Sequence, residues 1–306
     1  MIVRNYLNNP VKYVFLALRQ RSLLNWLPDI IFLKMMYRFS MGKKLNLKDP
    51  KTFNEKIQWL KLYDRREAYS EMVDKYLVKF YVEKIIGKEY IIPTYGVWDN
   101  FEEIDFDMLP NQFVLKCTHD SGGLVVCKNK DELNFAEARK KINRCLKTKY
   151  FYSGREWPYK NVKPRIIAEQ YMEDCETGEL RDYKFFCFNG CVKLLFVASD
   201  RQNKDVETKF DFFDAEFNHL DLKNGHPNSV NQIKKPVNFD LMKQLASQLS
   251  AGIPHLRVDF YEVNGKVYFG ELTFSHWSGM VPFDPPQWDY KLGSYIELPC
   301  KNVESV

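Results

Sequence analysis

The sequence predicts an α+β fold, and three features of its pattern indicate this class. Apolar residues recur with helical spacing up to about Gly87, whereas short runs typical of strands dominate after Pro93. The pairs Asn189-Gly190 and Asn264-Gly265 each separate two such runs, which predicts β-hairpin turns and antiparallel pairing. Further helical segments lie between some of the strands. Helices first, followed by mostly antiparallel strands, are typical of an α+β protein.

The first element is a basic region over residues 1–48. It carries nine Lys or Arg residues against one acid, Asp29, and includes apolar clusters at 14–18 and 30–33. We expect amphipathic helices here. Their basic side chains would either attract an anionic membrane surface or an acidic polymer, or form the outer face of a docked helical segment.

Two helices are predicted next. The first begins near Thr52 or Asn54, because Glu55 stands three residues beyond Thr52 as in a capping box. The second covers about 74–86 and ends at Gly87. Strands are then predicted at 95–98, 113–117, 123–127, 165–172, 182–190 and 192–198, and helices at 131–148 and 239–251.

Composition limits the class and the compartment of the protein. A chain of 306 residues buries a substantial core in one or two domains, and its net charge of +5 is too small to indicate nucleic-acid binding. The seven cysteines include no CxxC pair, so neither a disulfide framework nor a zinc site is indicated. No apolar run approaches the roughly 20 residues needed to span a bilayer, and the start lacks the order of a signal peptide. A reducing cytoplasm therefore fits best.

The hairpin predicted over residues 257–273 carries two acidic side chains that would face each other. Asp259 lies in its first strand and Glu271 in its second, and antiparallel pairing around the Asn-Gly turn brings them close. Facing carboxylates repel unless a cation lies between them, and hard oxygen ligands suit Mg²⁺, which in turn holds nucleotide phosphates. The hairpin therefore predicts an ATP site, with a solvated surface hairpin as the alternative.

A second segment, over residues 113–123, has features of a phosphate-binding loop. An apolar strand carries Lys116, and a short polar loop then ends in Gly122-Gly123. A lysine on a strand can hold phosphates, and glycines let backbone N–H groups approach them. The alternative is an ordinary hairpin loop with a solvated lysine.

Two further segments are compatible with nucleotide binding. The strand at 166–174 runs into Glu169 and the residues after it, which could meet an adenine and its ribose, or could simply be a polar strand end. In the strand at 181–186, Asp182 and Lys184 share one face. Lys184 would lie against a transferring phosphate with Arg201 nearby, or would form a cross-strand salt bridge.

Taken in order, these four segments resemble the ATP-grasp superfamily over residues 74–280, where a strand lysine, a glycine-containing loop, an adenine hinge, a basic strand and an RVD…E motif follow one another. The chain looks closer still to the TupA-like branch, named from teichuronopeptide biosynthesis. The segments that carry this closer resemblance are KTFNEKIQWLKLYDR (51–65), REWPYKN (155–161), PRIIAEQYM (164–172) and YFGELTFSHWSGM (268–280). The resemblance implies two α+β subdomains that clamp ATP, preceded by a helical N-terminal region.

The resemblance also implies roles for individual residues. Thr273 stands where the family usually has Asn, the phosphate loop has fewer glycines than usual, and helices replace the usual N-terminal domain. The implied metal ligands are Asp259, Glu271 and Thr273; the implied catalytic cations are Lys184, Arg257 and Arg201; the implied ATP contacts are Lys116, His119, Ser121, Gly122, Gly123, Glu169, Gln170, Tyr171 and Met172; and the implied substrate contacts are His276 and Ser278.

The activity implied is an ATP- and Mg²⁺-dependent carboxylate–amine ligase of polysaccharide biosynthesis, which joins an amino acid or similar group to a sugar or uronic acid. We expect a helical N-terminal region (1–95), a small ATP-grasp subdomain (96–172) and a large subdomain with the metal site (173–306). The partners would be small substrates and a glycan acceptor, with peripheral contact to the inner face of a membrane through residues 1–48 and no nucleic acid. A sugar kinase, a glycosyltransferase and a non-catalytic glycan-binding module remain alternatives.

Overall fold

The computed structural model describes residues 10–120, 122–175, 178, 180–200 and 206–300. Two predicted site residues, Ser121 and Arg201, lie outside the described residues, as does the start of the basic N-terminal region. Within the described part, helices come first and two antiparallel sheets follow. The predicted α+β class is confirmed.

Two sheets and the helices around them make up the described architecture. The helices are α1 (Pro10–Gln20), α2 (Asp29–Met41), α3 (Phe53–Tyr63), α4 (Ala68–Val73), α5 (Leu77–Ile86), α6 (Phe135–Leu146), α7 (Phe151–Gly154), α8 (Phe239–Leu249) and α9 (Gln287–Tyr295). The strands are β1 (Thr94–Trp98), β2 (Phe113–Cys117), β3 (Leu124–Cys127), β4 (Ile166–Gln170), β5 (Asp182–Phe188), β6 (Cys191–Ser199), β7 (Lys209–Asp214), β8 (Leu256–Val263) and β9 (Lys266–Thr273). The first sheet has the order β1-β4-β2-β3, and the second has the order β7-β6-β5-β8-β9.

The second sheet is covered by helices on both faces. On one face, Val82 of α5 and Met242 of α8 are buried in a cluster with Phe185. On the other face, Phe53 of α3 packs with Phe186. Adjacent strand residues point to opposite sides of a sheet, so Phe185 and Phe186 serve two separate cores. Strand β5 is consequently buried over its whole length.

The first sheet is covered on one face by α6. Phe113 and Leu115 of β2 pack there with Ile142, and all three are fully buried. The opposite face carries Lys116 and Glu169, which line a cavity between the two sheets. The predicted division at residues 96 and 173 falls close to the ends of this sheet, and it stays a prediction.

Local capping explains where the helices begin. Helix α3 begins at Phe53 because Thr52 and Glu55 form the predicted capping box. The helix predicted from about Asp74 instead begins at Leu77, because the Asp74 carboxylate accepts the Leu77 N–H at 3.1 Å and ends the preceding turn. Strand β7 and helix α9 were not predicted.

The N-terminal helices α1 and α2 form a small core of their own. Phe15, Phe32 and Tyr37 are buried in it, and Phe15 and Phe32 lie 5.6 Å apart between ring centroids. Among the described residues, no helix is both long enough and apolar enough to cross a bilayer.

Candidate active site

The hairpin β8–β9 places the two predicted carboxylates directly opposite each other. Asn264 and Gly265 adopt φ values of 51° and 73°, as a two-residue hairpin turn requires. The register set by this turn would pair Asp259 with Gly270, and a one-residue bulge shifts the pairing so that Asp259 of β8 lies opposite Glu271 of β9. The predicted juxtaposition of the two carboxylates is therefore present in the fold.

A one-residue bulge at Gly270 decides which face Glu271 occupies. The ladder pairs Asp259 with Glu271 and then Phe260 with Phe269, which leaves Gly270 without an opposite residue. Both Phe269 and Leu272 consequently join the core, although strict alternation would put them on opposite faces. A side chain at Gly270 would lie 3.1 Å from the Asp259 carbonyl oxygen, so glycine suits this close approach.

The guanidinium group of Arg257 holds the acidic side chains together. Its Nε and Nη2 donate to Oδ1 and Oδ2 of Asp259, each at 2.7 Å. The same Nη2 lies 2.7 Å from Glu271 Oε1 and 2.9 Å from Thr273 Oγ1. Burial alone would lower the pKa of Arg257, but Asp259 raises it above its ordinary value. Oxygen atoms of three side chains thus converge on one positively charged nitrogen.

Lys184 supplies a second cation to the same cluster. It lies opposite Asp259 across the β5–β8 ladder and donates to that carboxylate and to Asp182 Oδ1, the latter at 3.2 Å. The cross-strand salt bridge considered for Lys184 is therefore present. Burial would raise the pKa of Glu271, but Lys184 and Arg257 lower it to about 2. Glu271 is an anion at any ordinary pH.

The residues present fit the predicted magnesium ion. Asp259 is completely buried, whereas the Glu271 side chain keeps 45% of its exposure and borders the cavity between the sheets. The carboxylates of Asp259 and Glu271 and the hydroxyl of Thr273 are hard oxygen donors that already surround a positive charge, which is the donor set that Mg²⁺ prefers. Their role as metal ligands stays a prediction.

His276 forms a hydrogen bond with Arg257 that helps to orient the guanidinium group. Its Nδ1 accepts from Arg257 Nη1 at 2.9 Å, so its proton resides on Nε2, which donates to Asn224 Oδ1 at 2.8 Å. The Asn224 amide in turn donates to the carbonyls of Val281 and Pro282 at 3.2 and 3.0 Å. Burial and the charge of Arg257 hold the pKa of His276 well below its ordinary value. Both ring nitrogens are engaged by protein partners, and the substrate contact expected of His276 stays a prediction.

Ser278 is half-buried and contacts Lys61, and the substrate contact expected of it stays a prediction. The ammonium group of Lys61 lies 2.7 Å from Ser278 Oγ and 2.6 Å from its carbonyl oxygen, and 2.9 Å from the Gly154 carbonyl oxygen. Burial lowers the pKa of Lys61 to about 8. Ser278 and the preceding Trp277 adopt left-handed backbone angles, φ 56° and 47°, so this loop is pinned in an uncommon conformation.

The predicted phosphate lysine shares a cavity with Glu271. This cavity has a volume of about 200 Å³ and lies between the two sheets. Lys116 and Glu169 line it from the first sheet, and Gly270 and Glu271 line it from the second. The cavity therefore brings together residues from three of the four segments singled out in the sequence.

Glu169 lines the cavity and forms ion pairs with two lysines. Its carboxylate accepts from Lys116 at 2.6 Å and from Lys79 at 2.5 Å, and Lys79 also donates to the Ile92 carbonyl at 2.7 Å. Burial would raise the pKa of Glu169, but the two lysines keep it below its ordinary value. Each oxygen of this carboxylate contacts one lysine, and the adenine or ribose contact expected of Glu169 stays a prediction.

The other residues of the expected adenine segment differ in whether they lie near the cavity. Gln170 is exposed, and the Tyr171 hydroxyl donates to Glu173 at 2.5 Å. Met172 is buried with Ile92, and Ile92 lines the cavity. The apolar part of the segment therefore adjoins the cavity, while neither Gln170 nor Tyr171 lines it.

The phosphate loop meets the cavity through Gly123. Its N–H donates to Asp120 Oδ1 at 3.2 Å, and a side chain at this position would overlap the sulfur atoms of Cys117 and Cys145. Gly122 does not line the cavity. His119 Nε2 lies 3.0 Å from the Thr148 carbonyl oxygen, so this buried ring is held by the turn that follows α6.

One protein family matches most of the chain. The family described as TupA-like ATPgrasp matches residues 55–297. The chain belongs to this family. Membership confirms the predicted ATP-grasp fold and an ATP-dependent enzyme of the ligase type that uses ATP and Mg²⁺.

Similarity to solved ATP-grasp structures is low in sequence. D-alanine–D-alanine ligase from Helicobacter pylori is 15% identical, with 80% of this chain and 69% of that chain covered and a TM-score of 0.46. L-amino acid ligase from Bacillus licheniformis is 12% identical, with 83% of this chain and 57% of that chain covered and a TM-score of 0.47. D-alanine–D-alanine ligase from Bacillus anthracis, in a structure complexed with ATP, is 14% identical, with 66% of this chain and 53% of that chain covered and a TM-score of 0.36. No curated protein matches the chain.

Sequence reasoning missed four residues of this ATP-grasp site. Lys79 lies on α5 and Lys75 lies in the turn just before it; within the helix predicted over 74–86, their spacing of four would put both on one face and could have revealed them. Lys75 donates to the Cys117 carbonyl at 3.1 Å and borders the cavity with Asp120. Asn224 comes from an irregular loop and had no local signal.

Proposed function

We propose that this TupA-like ATP-grasp protein is a carboxylate–amine ligase. ATP would transfer its terminal phosphoryl group to a substrate carboxylate, with release of ADP. An amine would then attack the acyl phosphate, release inorganic phosphate and a proton, and leave an amide. The single observation that carries the proposal is the cavity in which Lys116, Lys75 and Glu271 meet, with Arg257 and Lys184 directly behind Glu271.

The described residues suit this chemistry because it depends on positioning and on stabilising negative charge. Lys116 is oriented by Glu169, and Arg257 is oriented by His276. Lys116 can therefore face phosphate oxygens without having to reorganise during the reaction, while Arg257 is fixed behind Glu271. Lys184 adds a third positive charge beside Asp259. No protein nucleophile is needed.

Asp259, Glu271 and Thr273 would hold magnesium in this proposal. When bound, the ion would neutralise charge on phosphate oxygens as a Lewis acid. Gly123 would present its backbone to the phosphates, and the apolar surface near Ile92 and Met172 would receive the adenine.

We place the reaction in polysaccharide biosynthesis, with an amino acid or similar group joined to a sugar or uronic acid. The support is the TupA-like family itself. A cytoplasmic location agrees with the seven free cysteines of the fold, because disulfides are rare in that compartment.

Product analysis tests the ligase assignment. We expect ADP and phosphate in equal amounts, together with an amide, when the protein is given ATP, Mg²⁺, candidate amino acids and uronic acids. A stable phosphosugar without free phosphate would show a kinase instead. Binding of UDP-sugars but not of ATP would show a glycosyltransferase, and binding of glycans alone would show a non-catalytic module.

The N-terminal helices support a further part of the proposal, contact with the inner face of a membrane. Leu23 and Trp26, in the turn after α1, are 54% and 77% exposed, and Val11 and Val14 on α1 are 62% and 58% exposed. Exposed apolar and aromatic side chains within a basic region are typical of proteins that lie on anionic lipid surfaces.

Vesicle sedimentation tests this contact. The protein should pellet with vesicles containing about one-third phosphatidylserine at low salt, and binding should weaken as salt screens the charges. The double variant Leu23→Ser/Trp26→Ser should lose this binding, whereas Met108→Ser, an exposed apolar residue on the first sheet's side of the molecule, should not. Failure of the wild type to pellet at low salt would remove the proposal.

A further inference from the structure

A second and larger cavity lies apart from the one between the two sheets. Its volume is about 720 Å³, and it is an open cavity bordered by α1, the turn after it, and the segment from the end of α6 into α7, with most of its lining residues exposed, Arg144, Lys147 and Lys149 among them. Four cationic side chains line it, and no described lining residue is acidic. The cations are Arg19, Arg144, Lys147 and Lys149, and polar side chains such as those of Asn25 and Tyr152 complete the wall.

These cations have no evident counter-charge within the described part of the chain. None of the four forms an ion pair with a described carboxylate, although the protein forms many such pairs elsewhere. Burial lowers the pKa of Arg19, which fits a guanidinium group that is partly withdrawn from water. Like charges that face one cavity repel each other, so an anionic occupant would relieve the repulsion.

The wall of this basic cavity is connected to both halves of the candidate active site. Thr148 lines the cavity, and its carbonyl oxygen is bound by His119 of the phosphate loop. Ser153 also lines it, and the next residue, Gly154, shares the Lys61 ammonium group with Ser278. The segment that lines the basic cavity therefore also supports the phosphate loop and the loop that carries Ser278.

We infer that the basic cavity binds an acidic sugar unit of the acceptor glycan, through its carboxylate and hydroxyl groups. Arg19 and Arg144 supply planar forks that match a carboxylate, and the amide and hydroxyl side chains around them suit sugar hydroxyls. The tyrosine ring of Tyr152 adds a flat surface for the sugar. This inference rests on the proposed function, because it identifies the acceptor as an acidic saccharide.

Calorimetric titration without ATP tests the cavity separately from the ligase chemistry. The probes are a hyaluronan tetrasaccharide, which carries carboxylates, and the neutral chitotetraose. We expect the acidic probe to bind and the neutral probe to bind at least about tenfold more weakly. In the double variant Arg19→Gln/Arg144→Gln, affinity for the acidic probe should fall at least about tenfold.

Matched variants keep the result interpretable. Lys147→Gln/Lys149→Gln changes two exposed cations of the same cavity and should weaken binding as well, so a folding defect at Arg19 would not hide the effect. Lys234→Gln/Lys266→Gln removes the same charge from exposed positions on the second sheet's side and should leave binding unchanged.

Three results would overturn the inference. One is equal binding of the two tetrasaccharides, and another is unchanged affinity in both cavity variants. The third is that inorganic phosphate or phosphatidylserine vesicles alone account for all binding that the cavity variants lose. Measurement of ADP release by the same preparations separates the outcomes, because loss of ATP turnover would contradict the proposed ligase and not the glycan site.

Discussion

Replacing Glu271 with glutamine is expected to lower kcat/KM for ATP turnover by about 10²–10³-fold. Glu271 is the acidic side chain of the hairpin that borders the cavity, and glutamine keeps its shape but removes its charge. Its pKa of about 2 means that the carboxylate is ionised from about pH 5 upward, so the ratio of wild type to variant should be constant there. Coupled measurement of ADP release at several pH values checks this result.

The stability of this variant should change little, because the Glu271 side chain is 45% exposed and Arg257 keeps both of its contacts with Asp259. A suitable control is Glu216→Gln, since Glu216 is exposed and distant from the cavity. The control should have wild-type kinetics. Unchanged turnover in Glu271→Gln, with the protein folded, would contradict the assignment of Glu271 to the magnesium site.

Replacing Arg257 with lysine is expected to reduce both activity and stability, although the charge is retained. The guanidinium group makes contacts with Asp259, Glu271, Thr273 and His276 at 2.7–2.9 Å, and a single ammonium group cannot reproduce that geometry. We expect kcat to fall by about 10²-fold and the free energy of unfolding by about 2–4 kcal/mol, because buried partners lose their hydrogen bonds. Steady-state kinetics and urea unfolding provide the measurements.

A matched exchange elsewhere separates this effect from a general cost of Arg→Lys. Arg139 pairs with Glu102 on the surface at 2.6 Å, so Arg139→Lys should leave the unfolding midpoint where it is. The double variant Arg257→Lys/Glu271→Gln should lose less than the two single variants together, since both remove the same contact. Full additivity would indicate that Arg257 and Glu271 act independently.

Local chemistry made much of the fold predictable. The Asn-Gly turns impose positive φ angles on two successive residues, and the strands on either side must then pair antiparallel. Thr52 and Glu55 satisfy backbone groups within one turn, so the start of α3 could be located from the sequence. These features depend on neighbours in the chain, which is why a sequence reveals them.

The roles of Glu169 and His276 could not be predicted in the same way. Glu169 stands in the segment expected to meet adenine, but two lysines from other elements occupy its carboxylate. His276 follows the metal strand as a substrate residue would, but its two partners are Arg257 and Asn224, the latter 52 residues away. Which polar groups meet depends on how separate elements pack.

The sequence by itself determined the α+β class, the hairpin that brings Asp259 and Glu271 close together, and the ATP-grasp family, because turns, alternation and motif order are properties of consecutive residues. Only the tertiary structure decided which groups face the cavity. A bulge at Gly270 turns Glu271 away from the core, and the packing of α5 against the sheets brings Lys75 and Lys79 to the same place. Those outcomes depend on steric fit and on ion pairing between distant segments. Neither can be predicted from the pattern of neighbouring residues in the sequence.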